Sequence, residues 1–159
     1  MIKTGTVAQN KKARFHYEIL DTYEAGLVLT GPEVKSLREG RATISESYAQ
    51  IKEGKAWLVN AHIQEFKGAY KGFVEQNPTR PRVLLLQAKE LAKLAKAVQQ
   101  KGNTLIPLEI YFNDRGLAKV RLAVGKGKTY ADKRDSEKER DWNKDKRRIL
   151  AHYNNGKKG

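Results

Sequence analysis

The stretch LAKVRLAV, residues 117–124, alternates with a period of two: Ala118, Val120, Leu122 and Val124 fall on one side, Lys119 and Arg121 on the other. That period belongs to a strand with one buried and one solvated face. NTLIPLEIYF precedes it as a second strand, and the NDRG link between them is a turn. The remaining strand-like pieces are equally short and are joined by tight links. Many short antiparallel strands favour closure into a barrel, which removes the exposed sheet edges.

Residues before about Gln9 are polar and basic and read as a loose arm. RFHYEIL alternates, with Phe15, Tyr17 and Ile19 opposite Arg14, His16 and Glu18; DTYEAG reads as a link and LVLT as the returning strand of a hairpin. The period then changes at TGPEVKSLREGR. Thr30 with Glu33 three residues on fits a capping box, Pro32 suits the first helical turn, and Gly40 supplies a left-handed stop. TISESYAQIKEGKAWLVNAHIQEF holds two more strands around Gly54. GAYKGFVEQNPTRPR reads as a long loop, VLLL as a short apolar strand, and QAKELAKLAKAVQQKG as the strongest helix, with Leu91, Leu94 and Val98 in a stripe before Gly102. The expected fold is mainly β: an antiparallel barrel with about three helices.

Lys and Arg outnumber Asp and Glu by 32 to 18, a formal charge of +14. Folding needs no such excess. Solubility is obtained with a net charge of about 2–8, so the surplus points to a polyanionic partner, nucleic acid above all. With no Cys there is no disulfide framework or thiolate chemistry. No apolar run approaches the roughly 20 residues of a membrane span, and the first residues lack the apolar core of a secretory signal. A cytoplasmic protein with no membrane association is expected.

After Val124 the alternation stops. Residues 126–159 carry 12 basic and 6 acidic side chains, and large apolar ones are sparse. Such a segment buries too little surface to offset its ordering entropy. The reading is therefore a barrel domain over residues 1–125 and a basic tail over 126–159. The tail is disordered when free and helical when a partner supplies a surface. Lys133 with Glu137 and Asp141 with Lys144 are helix-compatible pairs, opposed by the acid pairs Asp135–Glu139 and Glu137–Asp141.

GKGKT, residues 125–129, matches the end of a phosphate loop, but the leading Gly of that motif falls at Leu122 inside a strand. Flexible backbone flanked by lysines explains the glycines better. His16, His62 and His152 are scattered, with no Cys to join them in a metal site, and no Ser has a His–Asp arrangement to activate it. No cofactor or metal is expected. A nuclease using Glu24, Glu33 or His62 is the enzymatic alternative.

The segments QNKKARFHY, YEAGLVLTGPEVKSLREGR, SYAQI, PTRPRVLLL, KGNTLIPLEIYF, KVRLAVGKGK and DKR occur in this order. Together they resemble the SsrA-binding protein family, also called small protein B, from about Asn10 to Trp142. The resemblance implies a barrel related to oligonucleotide-binding folds and a function without catalysis. The barrel would hold the tRNA-like domain of transfer-messenger RNA. The tail would enter the decoding region and empty message channel of the small ribosomal subunit; a general ribosome-binding protein without a dedicated RNA is the weaker alternative.

By position, the resemblance links Asn10, Tyr17, Glu24 and Leu85 with RNA binding and places Lys119 in the matching basic strand. Asp132, Lys133 and Arg134 match the tail motif, and Lys126, Lys128, Tyr130 and Trp142 are grouped with them as the ribosome-facing set. Two positions depart from the family pattern. Ala131 stands where His or Tyr usually precedes Asp-Lys-Arg, with Tyr130 one residue earlier, and Pro32 replaces the usual Thr or Trp.

Structured RNA is read through shape, phosphates, 2′-hydroxyls and exposed bases. Lys11, Lys12, Arg14, Lys35, Arg38, Lys119 and Arg121 are the candidate phosphate contacts, against a solvated face as the plain alternative. Glu24 repels phosphate, but it can accept hydrogen bonds from base N–H or ribose hydroxyl groups; otherwise it is a turn residue. Core packing is the default for Tyr17, Tyr48 and Leu85, with base stacking or an apolar platform as the alternative.

Overall fold

The computed structural model describes residues 2–66 and 76–128. By contact the chain divides into two units, Met1–Gly127 and Lys128–Gly159, and every described residue except Lys128 belongs to the first. The elements are β1 (Gly5–Gln9), α1 (Ala13–His16), β2 (Tyr17–Leu27), α2 (Gly31–Arg38), β3 (Ala42–Thr43), β4 (Tyr48–Lys52), β5 (Lys55–Val59), β6 (His62–Ile63), β7 (Arg82–Leu85), α3 (Ala88–Val98), β8 (Asn103–Phe112) and β9 (Ala118–Gly127).

The main sheet runs β1-β8-β4-β5-β7-β2-β9, and β8 also pairs with β9. The strands β8, β4, β5, β7, β2 and β9 thus close a ring, with every pairing antiparallel. β8 carries β9 along one edge. On its other edge it meets β4 at Ala49↔Leu105 and β1 over Glu109–Phe112. The β3–β6 pair is a separate two-stranded sheet.

The alternation of β9 is realised as expected: Val120, Leu122 and Val124 are buried, and Arg121 is exposed. Inside the ring they pack with Ala25, Leu58, Leu84, Leu105 and Ile110. Leu37 of α2 and Leu94 of α3 join the same core. Each such fully buried leucine contributes about 1.5–3 kcal/mol.

Both longer helices begin as their sequences dictate. Glu33 N–H donates to Thr30 Oγ1 and Thr30 N–H donates back to Glu33 Oε1. In α3 the Gln87 N–H donates to Glu90 Oε1 at 3.2 Å. Gly54 turns β4 into β5 at φ 75°, a left-handed conformation that favours glycine.

A second, smaller cluster lies on the other face of the β8–β9 ribbon. Ala13, Ile106, Leu108 and Ala123 pack there with Tyr17 and Ile19. Ala123 alternates with Leu122 and Val124, so its side chain faces away from the ring interior. α1 exists to cover it.

Four sequence expectations change. The arm before Gln9 is in part a strand, β1, because β8 offers it a free edge. Residues 14–16 belong to α1, so the strand begins only at Tyr17; the alternation of Phe15, Tyr17 and Ile19 imitates a strand across a helix boundary. No hairpin forms at 21–26. β2 runs unbroken through Leu27, paired with β9 along most of its length and with β7 at its end. β9 continues to Gly127, so Lys126 lies opposite Glu18 and Asn103 rather than beyond the barrel. The expected loop over 68–82 falls partly outside the described residues.

No helix among the described residues is long and apolar enough to cross a membrane.

Candidate nucleic-acid interface

The outward face of β7-β2-β9-β8-β1 is read off the strand register. In one row, Leu85 lies opposite Gly26, Gly26 opposite Lys119, Lys119 opposite Tyr111, and Tyr111 opposite Thr6. In the next row, Glu24 lies opposite Arg121, Arg121 opposite Glu109, and Glu109 opposite Gln9. Directly paired residues in antiparallel strands project to the same side, so these rows form one surface.

Polar contacts knit that surface. Tyr111 Oη–H donates to Glu24 Oε2. The Arg121 guanidinium sits 5.3 Å from the centre of the Tyr111 ring, within cation–π range, and its Nε lies 3.5 Å from Glu109 Oε2. Thr6 Oγ1–H donates to Glu109 Oε1 at 3.0 Å. Partial burial, then the hydrogen bond to Glu24 and the negative charge beside it, push the Tyr111 hydroxyl up to about 12. Tyr111 is therefore a proton donor throughout the physiological range.

Arg121 leads into a cleft of about 200 Å³ that it lines with Gln9, Asn10, Lys11, Arg14, Leu108 and Glu109. Asn10 is held there by a bulge in β8 between Pro107 and Glu109. Its N–H donates to Leu108 O at 2.8 Å and its Nδ2–H to Pro107 O at 3.2 Å. A second cleft, of about 450 Å³, begins at the same Asn10 and passes Lys12, His16 and Tyr17 to Tyr48 and Thr104.

The structure thus places Asn10, Lys11, Lys12, Arg14, Tyr17, Glu24, Leu85, Lys119 and Arg121 along one connected strip. Three basic side chains line the small cleft around a single acid. Such a surface offers cations to anionic groups at the cleft and a carboxylate acceptor at Glu24.

Two side chains expected in the core are not there. Leu85 is 59% exposed, because it alternates with the buried Leu84 and lies over Gly26 on the outward face, and Tyr48 is 43% exposed. Leu85 is an exposed apolar side chain at the end of the first row.

Other candidates have structural work. Lys35 Nζ lies 5.5 Å from the Phe66 ring. Arg38 stacks over Phe112 and donates to Ile2 O and Gly116 O. Glu33 is buried, and its carboxylate accepts from Arg80, Arg82 and Thr30 N–H. That occupancy removes it as a catalytic base. Among the described residues no group of His, Asp and Glu converges as a metal site.

Of the expected ribosome-facing set, Lys126 is in β9 and Lys128 is half-buried; Tyr130, Asp132, Lys133, Arg134 and Trp142 lie outside the described residues. Tyr111 and Glu109 escaped the sequence reading, although LEIYF carried the signal. Ile110 and Phe112 are inward, so Glu109 and Tyr111 between them are outward.

A family model described as "SmpB protein" matches residues 7–152. The chain is 58% identical over 144 residues to an "SsrA-binding protein" of Rhizobium etli (strain CIAT 652), covering 91% of this chain and 89% of that one. It is 55% identical over 145 residues to the "SsrA-binding protein" of Mesorhizobium japonicum, covering 91% and 90%. A solved chain from a structure described as "tmRNA-SmpB: a journey to the center of the bacterial ribosome" superposes with a TM-score of 0.65 at 44% identity, over 84% of this chain and 94% of that one. With a matching family model over most of its length and relatives above half identity, the chain belongs to the SmpB family.

Proposed function

We propose that the chain is a non-enzymatic adaptor for ribosome rescue. Its compact unit holds the tRNA-like domain of transfer-messenger RNA, and the segment after Gly127 engages the decoding region and message channel of the small subunit in the cytoplasm. The observation that carries the RNA half is the connected strip from Leu85 through Glu24 and Arg121 to the Asn10 clefts, on a chain of the SmpB family. The ribosome half is supported by the excess of base after Lys126 and by the DKR triplet at Asp132–Arg134.

The division of labour is tested by truncating after Gly127. Gel-shift affinity for the tRNA-like domain should stay within about threefold of the full chain, because the strip is intact, while tagging of stalled ribosomes in a reconstituted system should be lost. Disappearance of RNA binding with the tail would overturn the division. Affinity should fall steeply between about 50 and 200 mM salt, as phosphate contacts release counterions. Incubating excess labelled RNA with the protein should return it intact; cleavage would favour the nuclease reading instead.

A further inference from the structure

Glu24 and Arg121 are direct cross-strand neighbours on one face. An acid and a base so placed ordinarily pair with each other. Here they do not: among the described residues the ion pair on this face joins Arg121 to Glu109. Glu24 instead receives a neutral donor, the Tyr111 hydroxyl, while the ring of the same tyrosine lies under the Arg121 guanidinium. Thr6 in turn fixes the far oxygen of Glu109.

We infer that Tyr111 and Glu109 are positioning residues that keep Glu24 and Arg121 from neutralising one another, so that both remain available to RNA. The inference rests on Glu24 and Arg121 being interface residues. A Glu24–Arg121 pair would spend the one acceptor suited to base N–H or ribose hydroxyl groups. It would also remove a cation from the cleft that holds Asn10, Lys11 and Arg14. Tyr111 prevents this in two ways. Its hydroxyl occupies one Glu24 oxygen without cancelling the charge, leaving the other free to accept. Its ring draws the guanidinium toward β8. Glu109 completes the diversion as an exchangeable partner: its contact to Arg121 Nε is long, at 3.5 Å, and the guanidinium is exposed, so a phosphate entering the cleft can displace it.

The test compares Tyr111→Phe, Glu109→Gln and Glu24→Gln in the full chain. Binding of the tRNA-like domain is measured across a salt series, with melting temperature as the folding control. Tyr111→Phe keeps the ring, so it should fold normally. It should bind about five- to tenfold more weakly, the loss expected for one charge-assisted hydrogen bond. Its log–log salt slope should be shallower by about one phosphate contact, because Arg121 now pairs with Glu24 instead of resting on the displaceable contact to Glu109.

Glu109→Gln is the sharper arm. Deleting an acid from a basic face should tighten RNA binding by simple electrostatics; here it should weaken binding, since Arg121 turns to Glu24. Adding Glu24→Gln to either variant should cost little more than Glu24→Gln alone. Parent-like binding by Tyr111→Phe, an unchanged salt slope, or tighter binding by Glu109→Gln overturns the inference while Glu24→Gln still weakens binding. If Glu24→Gln is itself silent, the interface assignment of Glu24 fails and the inference falls with it.

Discussion

The Arg82 guanidinium, wholly buried, donates to Glu33 Oε2 at 2.7 Å and thereby ties β7 to the first turn of α2. Its other donors reach Ala61 O at 2.9 Å and Pro78 O at 3.0 Å. Arg80 adds two hydrogen bonds to the same carboxylate. The carboxylate thus sits between two guanidinium groups, and the segment from Pro78 to Arg82 is fastened to the barrel through it.

Removing one member leaves a buried charge without its partner, at about 3–5 kcal/mol. Glu33→Gln and Arg82→Ala should each lower stability by that order in urea unfolding, whereas Arg80→Ala, at the solvent edge, should cost less. Burial alone would raise the Glu33 carboxyl, but the donors from Arg80, Thr30 N–H and Arg82 outweigh it and hold it below the usual carboxylate range. A depressed folded pKa gives stability that is complete above the unfolded value. It is lost as pH falls through the folded one. Acid unfolding of the parent should therefore contain a component that lies below the ordinary glutamate range and that Glu33→Gln lacks.

Gly125 is constrained by its neighbours, not by its backbone. A Cβ there would meet Tyr17 Cβ at 3.0 Å and Ile106 Cδ1 at 3.1 Å. Both belong to the small outer core under α1. Gly125→Ala should destabilise by about 1–3 kcal/mol, the usual range for overpacking. It should also displace Tyr17 from the larger cleft, weakening binding of the tRNA-like domain. A variant with parent-like melting temperature and affinity would show that the strand pair yields more easily than its packing implies.

What the sequence disclosed depended on how locally each signal is encoded. The capping box at Thr30–Glu33 and the Leu91–Leu94–Val98 stripe are each written within a dozen residues, the β8–β9 hairpin within one continuous stretch from Asn103 to Gly127, and each was readable. β1 was not, because its partner is a hundred residues away: Gly5 lies opposite Phe112, and GTVAQ has only one buried side chain. α1 was hidden by its length, since four residues cannot display a helical period. The Glu33–Arg80–Arg82 cluster joins residues 47 and 49 apart, so nothing local announces it. Among the charged interface candidates, the alternation of β9 put Lys119 and Arg121 on its outward side. How Arg121 and Glu24 are kept apart was not legible, since that depends on register across three strands.

Leu85 shows the same limit from the other side. VLLL looks like core, yet Leu85 faces solvent because it alternates with Leu84, which enters the ring, and its cross-strand neighbour Gly26 has no side chain to cover it. Leu85→Ser should therefore change stability by no more than about 0.5 kcal/mol. If the leucine packs against an unstacked base or ribose, the same substitution should weaken RNA binding about tenfold or more, from the apolar area no longer buried. Melting temperature and gel-shift affinity measured on one preparation separate the two effects. A large loss of stability would return Leu85 to the core.

The end of the barrel can be located by comparing truncations two residues apart. Lys126 and Gly127 complete β9: Lys126 lies opposite Glu18 and Asn103, Gly127 lies opposite Tyr17, and Gly127 N–H donates to Gly102 O at 3.0 Å. A chain ending at Gly127 keeps all of these. A chain ending at Gly125 loses the last rungs on both edges of β9 and exposes the turn after α3. With about 0.5–1.5 kcal/mol for each net hydrogen bond, the shorter chain should be less stable by about 1–3 kcal/mol. Its amides near Gly102 and Tyr17 should exchange faster with solvent. The two truncations differ by one lysine, so their RNA affinities separate charge from architecture. A deficit in the shorter chain that disappears when the two are compared well below the melting temperature in low salt is a stability effect. A deficit that persists there, with a shallower salt slope, makes Lys126 a phosphate contact in its own right.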